Sequence, residues 1–85
     1  MPTPRLIEIR ETLLLLYLSE GYPVATAGKM AGYSQSYAEH RLHGKLKNPK
    51  FIHRAREKYG LDVELICHAN QSMRLLHTLG LDTDW

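Results

Sequence analysis

Cysteine occurs once in the 85 residues, at Cys67. A lone thiol excludes an internal disulfide and fits a reducing compartment, where thiols stay free. Long apolar runs are also missing. The longest, Leu13–Leu18, has six residues, is bracketed by Glu11 and Glu20, and has no small-residue cleavage site behind it. It therefore does not read as a signal peptide, and it falls far short of the ~18 residues needed to cross a bilayer. These absences predict a soluble, cytoplasmic protein with no membrane partner. Catalytic signatures are lacking as well. There is no Gly-rich phosphate loop and no nucleophile elbow. Glu39–His40 and Cys67–His68 are sequence neighbours, and neighbours on a helix point about 100° apart, away from a common pocket. His40 and His43 have a spacing that one metal ion tolerates, but no paired Cys motif accompanies them. They read as surface histidines. The sequence predicts no enzyme, no metal and no cofactor.

Period-2 alternation and low-complexity segments are absent too, and what remains is helical throughout. The expected fold is all-α, a small helical bundle of four to five helices containing a helix-turn-helix. A core from so short a chain supplies only about 3–5 kcal/mol. With no staple to add to it, size alone suggests a homo-oligomer.

Net charge is only +2, but it is uneven. Residues 1–34 balance. Residues 35–59 carry Arg41, Lys45, Lys47, Lys50, Arg54, Arg56 and Lys58 against Glu39 and Glu57, a net of +5. Residues 60–85 carry Arg74 against Asp62, Glu64, Asp82 and Asp84, a net of −3. A basic middle before an acidic tail is an electrostatic footprint for an anionic partner.

The first helix is expected from Pro4 to Glu20, with Thr3 as its cap and Gly21 as its end. Leu6, Ile9, Leu13, Leu16 and Tyr17 form one stripe, and Ile7, Leu14 and Leu18 a second, which predicts burial on two sides. A short second helix, Pro23 or Val24 to Ala31, is built from small residues. Gly28 inside it costs about 1 kcal/mol relative to Ala and predicts close approach of the next helix. Gly32 is the turn residue with positive φ, Tyr33 tucks into the core and Ser34 caps the third helix, Gln35–Leu46, which packs through Ala38, Leu42 and Leu46. The fourth helix starts at Asn48–Pro49, uses Phe51, Ile52, Ala55 and Tyr59 as its apolar side, and closes at Gly60. The fifth begins at Leu61–Asp62, with Asp62 as cap and Leu61 against Ile66 as a staple, and ends at Gly80. Leu81–Asp82 then repeats that start signal before Trp85, a hint that the sequence is a piece of a longer protein.

A Gly-containing turn between two short helices is the helix-turn-helix signature, and the residues after the turn are those that enter a DNA groove. Gln35, Ser36, Tyr37, Glu39, His40 and Arg41 occupy that place, and none is needed to fill a core. Tyr37 is open between packing on the second helix and touching the DNA backbone. Gln35 suits adenine and Arg41 guanine. Lys45, Lys47, Lys50 and Arg54 suit phosphates. His43 lies on the same outer surface, and protonation of His40, His43 and His53 would strengthen DNA binding in mild acid.

Ala31-Gly32-Tyr33-Ser34, then Leu42, then Leu46-Lys47-Asn48-Pro49 resembles the helix-turn-helix domain of small terminase subunits of tailed bacteriophages. The likeness covers about half of the chain. It departs from the family at Pro23, often a polar residue there, at Gly28, usually alanine, and at Lys29, often bulky and apolar. The resemblance implies a subunit that binds double-stranded viral DNA at the packaging-initiation region, assembles into rings, and hands DNA to a terminase large subunit with motor and nuclease activities, in the host cytoplasm. It implies residues 1–60 as the DNA-binding domain and 61–85 as a C-terminal helix that starts an oligomerisation segment. Two other readings of the same residues remain: a stand-alone helix-turn-helix transcriptional regulator, typically a dimer, and a protein-binding helical adaptor.

Overall fold

A run of leucines gives the first helix an apolar surface on every side, so periodicity alone cannot choose its buried face. The computed structural model, which describes the backbone of residues 4–79 and the side chains of 4–76, shows which face wins. Helix α1 (Pro4–Ser19) turns Leu14, Leu15 and Leu18 fully inward, together with Glu11. Leu6, Ile7, Ile9 and Leu16, which the stripes place in contact, are instead substantially exposed. Only Leu13 and Tyr17 of the first stripe pack at the edge of the core.

Five further α-helices follow: α2 (Val24–Ala31), α3 (Gln35–His40), α4 (Leu42–Lys47), α5 (Pro49–Arg54) and α6 (Val63–Leu79). A π-helical turn, Ala55–Tyr59, continues α5. There is no strand among the described residues, so the fold is an all-α bundle. Helix α1 is its axis, packed on α2 on one side and α6 on another; α3 and α4 lie on α2, and α5 follows α4. One core runs through all of them, from Leu18 through Leu42 and Phe51 to Val63, the first residue of α6. No described helix is long and apolar enough to cross a membrane.

Local chemistry sets the ends. Helix α2 closes with Gly32 at φ +109°, where its N–H donates to Lys29 O and the Tyr33 N–H to Gly28 O, at 3.2 and 3.0 Å. This is the Schellman arrangement, in which a left-handed residue satisfies the last carbonyls of a helix. The Ser34 hydroxyl accepts from Tyr37 N and starts α3; Asn48 accepts from Lys50 N and starts α5; Asp62 accepts from Leu65 N and starts α6. Helix α6 thus begins at Val63, one residue after its cap.

Two expected helices are broken. The third helix is not one segment from Gln35 to Leu46: the backbone relaxes at Arg41, φ −116° and ψ −28°, and a second segment, α4, runs on to Lys47. Ala38 before the break and Leu42 after it both pack on α2, and Lys45 of α4 reaches Glu11 of α1. The fourth helix widens at Ala55–Tyr59, where Gly60 N–H reaches back five residues to Ala55 O. Expectations for Thr3, Gly80, Leu81–Asp82 and Trp85 lie outside the described residues.

Gly28 is fully enclosed. A Cβ there would overlap Leu42 Cδ1 and lie 2.9 Å from Ala38 Cβ. The leucine tip can rotate away, but the Ala38 Cβ moves only with its backbone. A Cβ added at Gly44, within α4, would have no neighbour within 4 Å. The two glycines therefore predict opposite signs. Gly28→Ala lowers stability by about 1–3 kcal/mol through overpacking. Gly44→Ala raises it by up to about 1 kcal/mol through helix propensity. Urea unfolding of the two variants beside the parent checks both; a shift of the same sign in each contradicts this packing.

Candidate nucleic-acid interface

Helices α2 and α3 are joined by only Gly32, Tyr33 and Ser34. Ala38 is the one residue of α3 that is buried. With a single anchor point, the helix leaves the rest of its surface in solvent: Gln35, Ser36, Tyr37, Glu39 and His40 are all exposed, as is Arg41 after them. Gln35 Nε2 donates to Glu39 Oε1 at 3.0 Å, and the other Glu39 oxygen lies 4.0 Å from His40 Nε2. Gln35, Glu39 and His40 thus form a linked polar row on one exposed helix. Tyr37 packs on the turn, not on the second helix, with its ring stacked on Tyr33 at 5.3 Å between centroids and 11° between planes.

The basic residues that follow do not share one surface. Lys45 is mostly buried and its Nζ lies 2.7 Å from Glu11 Oε2. Arg54 grips the same carboxylate with both arms, Nε to Oε1 at 3.2 Å and Nη2 to Oε2 at 2.5 Å. Both cations also lie over the Phe51 ring, at 4.9 and 5.6 Å from its centroid. Lys58 pairs with Glu8 at 3.3 Å, and Arg56 stands 4.0 Å from Asp62. His43 and Lys47 turn the other way, into a groove between α4 and α6 that also takes in Cys67, His68 and Arg74. Burial pushes the Cys67 thiol up. Lys50 is exposed at the first turn of α5, and neither it nor Arg41 or Lys47 has a carboxylate within ion-pair distance among the described residues. Sequence reasoning gave Lys45 and Arg54 to phosphates; the fold gives them first to Glu11.

Glu11 itself escaped the sequence reading. Its carboxylate is wholly buried, and Tyr59 Oη donates to Oε1 at 2.6 Å in addition to the two cations. A signal was present: Glu11 lies three, four and seven residues before Leu14, Leu15 and Leu18, on the helix face they bury. A carboxylate on a core face requires partners. Burial pushes its acidity down, but hydrogen bonds from Arg54, Lys45 and Tyr59 outweigh this and hold the group below its ordinary value of 4.5. In return burial and the bond to Glu11 push the Tyr59 phenol up to about 12. Among the described residues no three His, Cys, Asp or Glu side chains converge on one point as metal ligands.

Comparison with protein-family models, curated proteins and solved structures returns no match to this chain.

A group whose acidity is strengthened by folding stabilises the fold above its unfolded value, and that contribution is lost as pH falls through the folded value. Glu11→Gln therefore lowers stability at pH 7 by about 2 kcal/mol, the loss of charge-assisted hydrogen bonds in a buried site. The deficit relative to the parent shrinks as the pH drops below 4.5, where the unfolded chain takes up the proton that the folded carboxylate still resists. Urea midpoints of parent and variant at pH 7 and pH 3 test the window; a constant difference contradicts it.

Proposed function

We propose that this chain is a DNA-binding subunit of the small-terminase type, which recognises viral DNA for packaging and passes it to a large motor and nuclease subunit. The observation that carries the reading is the pair α2 and α3. Three residues join them, a Schellman close and a serine cap fix the turn, and one buried alanine anchors α3 while its polar row faces solvent. In this reading the pair is a helix-turn-helix and α3 is the helix that enters the major groove. Gln35 and Arg41 read base edges, Ser36 and Lys50 contact phosphates, and the acid of Glu39 orients Gln35. The chain supplies recognition and no catalysis.

Self-association belongs to the same proposal. Leu65, Met73, Leu75 and Leu76 of α6 are exposed, Leu65 and Leu75 by 64% and 60%. Exposed apolar side chains on one helix suit packing against further copies, and several copies multiply a weak single contact.

Fluorescence anisotropy with a labelled random duplex provides the test. Affinity is expected to fall steeply between about 50 and 200 mM salt, as counterion release requires. Combined reversal at Arg41→Glu and Lys50→Glu, both exposed, is expected to abolish binding with the fold intact by circular dichroism. Binding that ignores both salt and the reversal overturns the DNA reading in favour of a protein-binding adaptor. Light scattering on the DNA complex separates the packaging reading, which needs an assembly larger than a dimer, from a dimeric regulator.

A further inference from the structure

A cleft of about 420 Å³ opens beside the turn between α2 and α3, lined by Ile7 and Arg10 of α1, Tyr33 and Ser34 of the turn, Tyr37 of α3 and Lys45 of α4. Its charged groups are unequal. Lys45 already serves Glu11. Arg10 is half-buried and makes no hydrogen bond or ion pair with any described residue. Its side chain lies across the turn, with Nε 3.3 Å from the place a Gly32 Cβ would take. Glycine there leaves room for the guanidinium as well as permitting the positive φ.

The polar groups around Arg10 are donors. The Tyr33 hydroxyl is buried, and no described group accepts its proton. Burial and the nearby Glu11 charge push its acidity down, so it remains a donor. The Ser34 oxygen accepts from Tyr37 N, which leaves its own proton to give. Lys45 and Arg54 together exceed the charge of the single buried acid Glu11, and Arg10 lines the same cleft as Lys45, so positive charge is in excess. A half-buried fork without a carboxylate, two hydroxyl donors and excess positive charge match a tetrahedral oxyanion, which Arg holds by two oxygens at once.

We propose that this cleft is an oxyanion site that takes a phosphate group, with Arg10 as its principal donor and the Tyr33 and Ser34 hydroxyls as its partners. The group is either a backbone phosphate of a duplex laid along α3 or the phosphate of a free small molecule. Only the first source rests on the DNA reading.

Two measurements on the whole chain decide the matter. Inorganic phosphate is titrated at constant ionic strength while ¹H–¹⁵N spectra follow Arg10 Nε–H and the amides of Tyr33, Ser34 and Tyr37. Saturable shifts confined to the cleft, lost in Arg10→Ala and weakened in Arg10→Lys, are expected. No saturable shift in the parent chain overturns the site. The duplex titration is then repeated with Arg10→Ala. A loss of about tenfold in affinity, one charge-assisted bond, with a salt slope shallower by about 1, assigns the site to a DNA phosphate. Unchanged duplex binding, or no duplex binding by the parent, alongside positive phosphate shifts assigns the site to a free phosphate compound. In the last case the oxyanion site stands while the DNA reading falls.

Discussion

The carboxylate of Glu11 has no route to water, and the arrangement of the bundle follows from satisfying it. A bare carboxylate in a protein interior is too costly to keep ionised. Three elements far away in sequence deliver its partners. Lys45 comes from α4, Arg54 from the end of α5 and Tyr59 from the π-turn. Two of the three contacts come with a departure from regular helix, the break at Arg41 before Lys45 and the widened turn that carries Tyr59, while Arg54 lies in regular helix. Phe51 lies under both cations and screens the cluster from solvent. The ion cluster and the leucine core are therefore parts of one packing arrangement around α1.

This constraint changes what the charge pattern means. Seven basic residues between positions 35 and 59 look in sequence like one continuous anion-binding surface. In the fold, Lys45 and Arg54 neutralise Glu11, Lys58 faces Glu8 and Arg56 faces Asp62. Arg41, Lys47 and Lys50 are left without a carboxylate among the described residues, and they sit at the ends of α3, α4 and α5. Segment net charge overstates the field offered to a ligand whenever the balancing acids lie on another helix, as Glu8 and Glu11 do.

The same distinction separates what was legible in the sequence from what was not. Features set within four or five residues could be read: Gly32 in the turn, Ser34, Asn48 and Asp62 as caps, Gly28 as the point of close approach, and the exposure of Gln35, Ser36, Glu39 and His40. Features set across the chain could not. The face of a helix whose middle is Leu13 to Leu16 is undetermined by period, and it was fixed by partners 43 and 48 residues away. The turning of His43 and Lys47 toward α6 depends on where α6 packs. That in turn is held by Asn70, whose Nδ2 donates to Leu18 O and Tyr22 O at 2.8 Å each and ties α6 to the end of α1.

Few free cations also bear on how such a module would act on DNA. Each neutralised phosphate contributes about −0.9 to the logarithmic salt slope. Two or three contacts from Arg41, Lys50 and Arg10 then give a weak, salt-sensitive grip by a single copy. Under the proposed reading, useful affinity has to come from copies acting together, since linking weak sites raises avidity by about 10²–10⁴ without a new contact. The division within α6 fits that demand. Asn70 fastens the helix to the end of α1 and Met73 rests near Gly21, while Leu65, Leu75 and Leu76 are largely exposed on α6, an element separate from α3. Recognition and association would then use separate parts of the chain, so copies could gather through α6 without covering the helix that reads DNA.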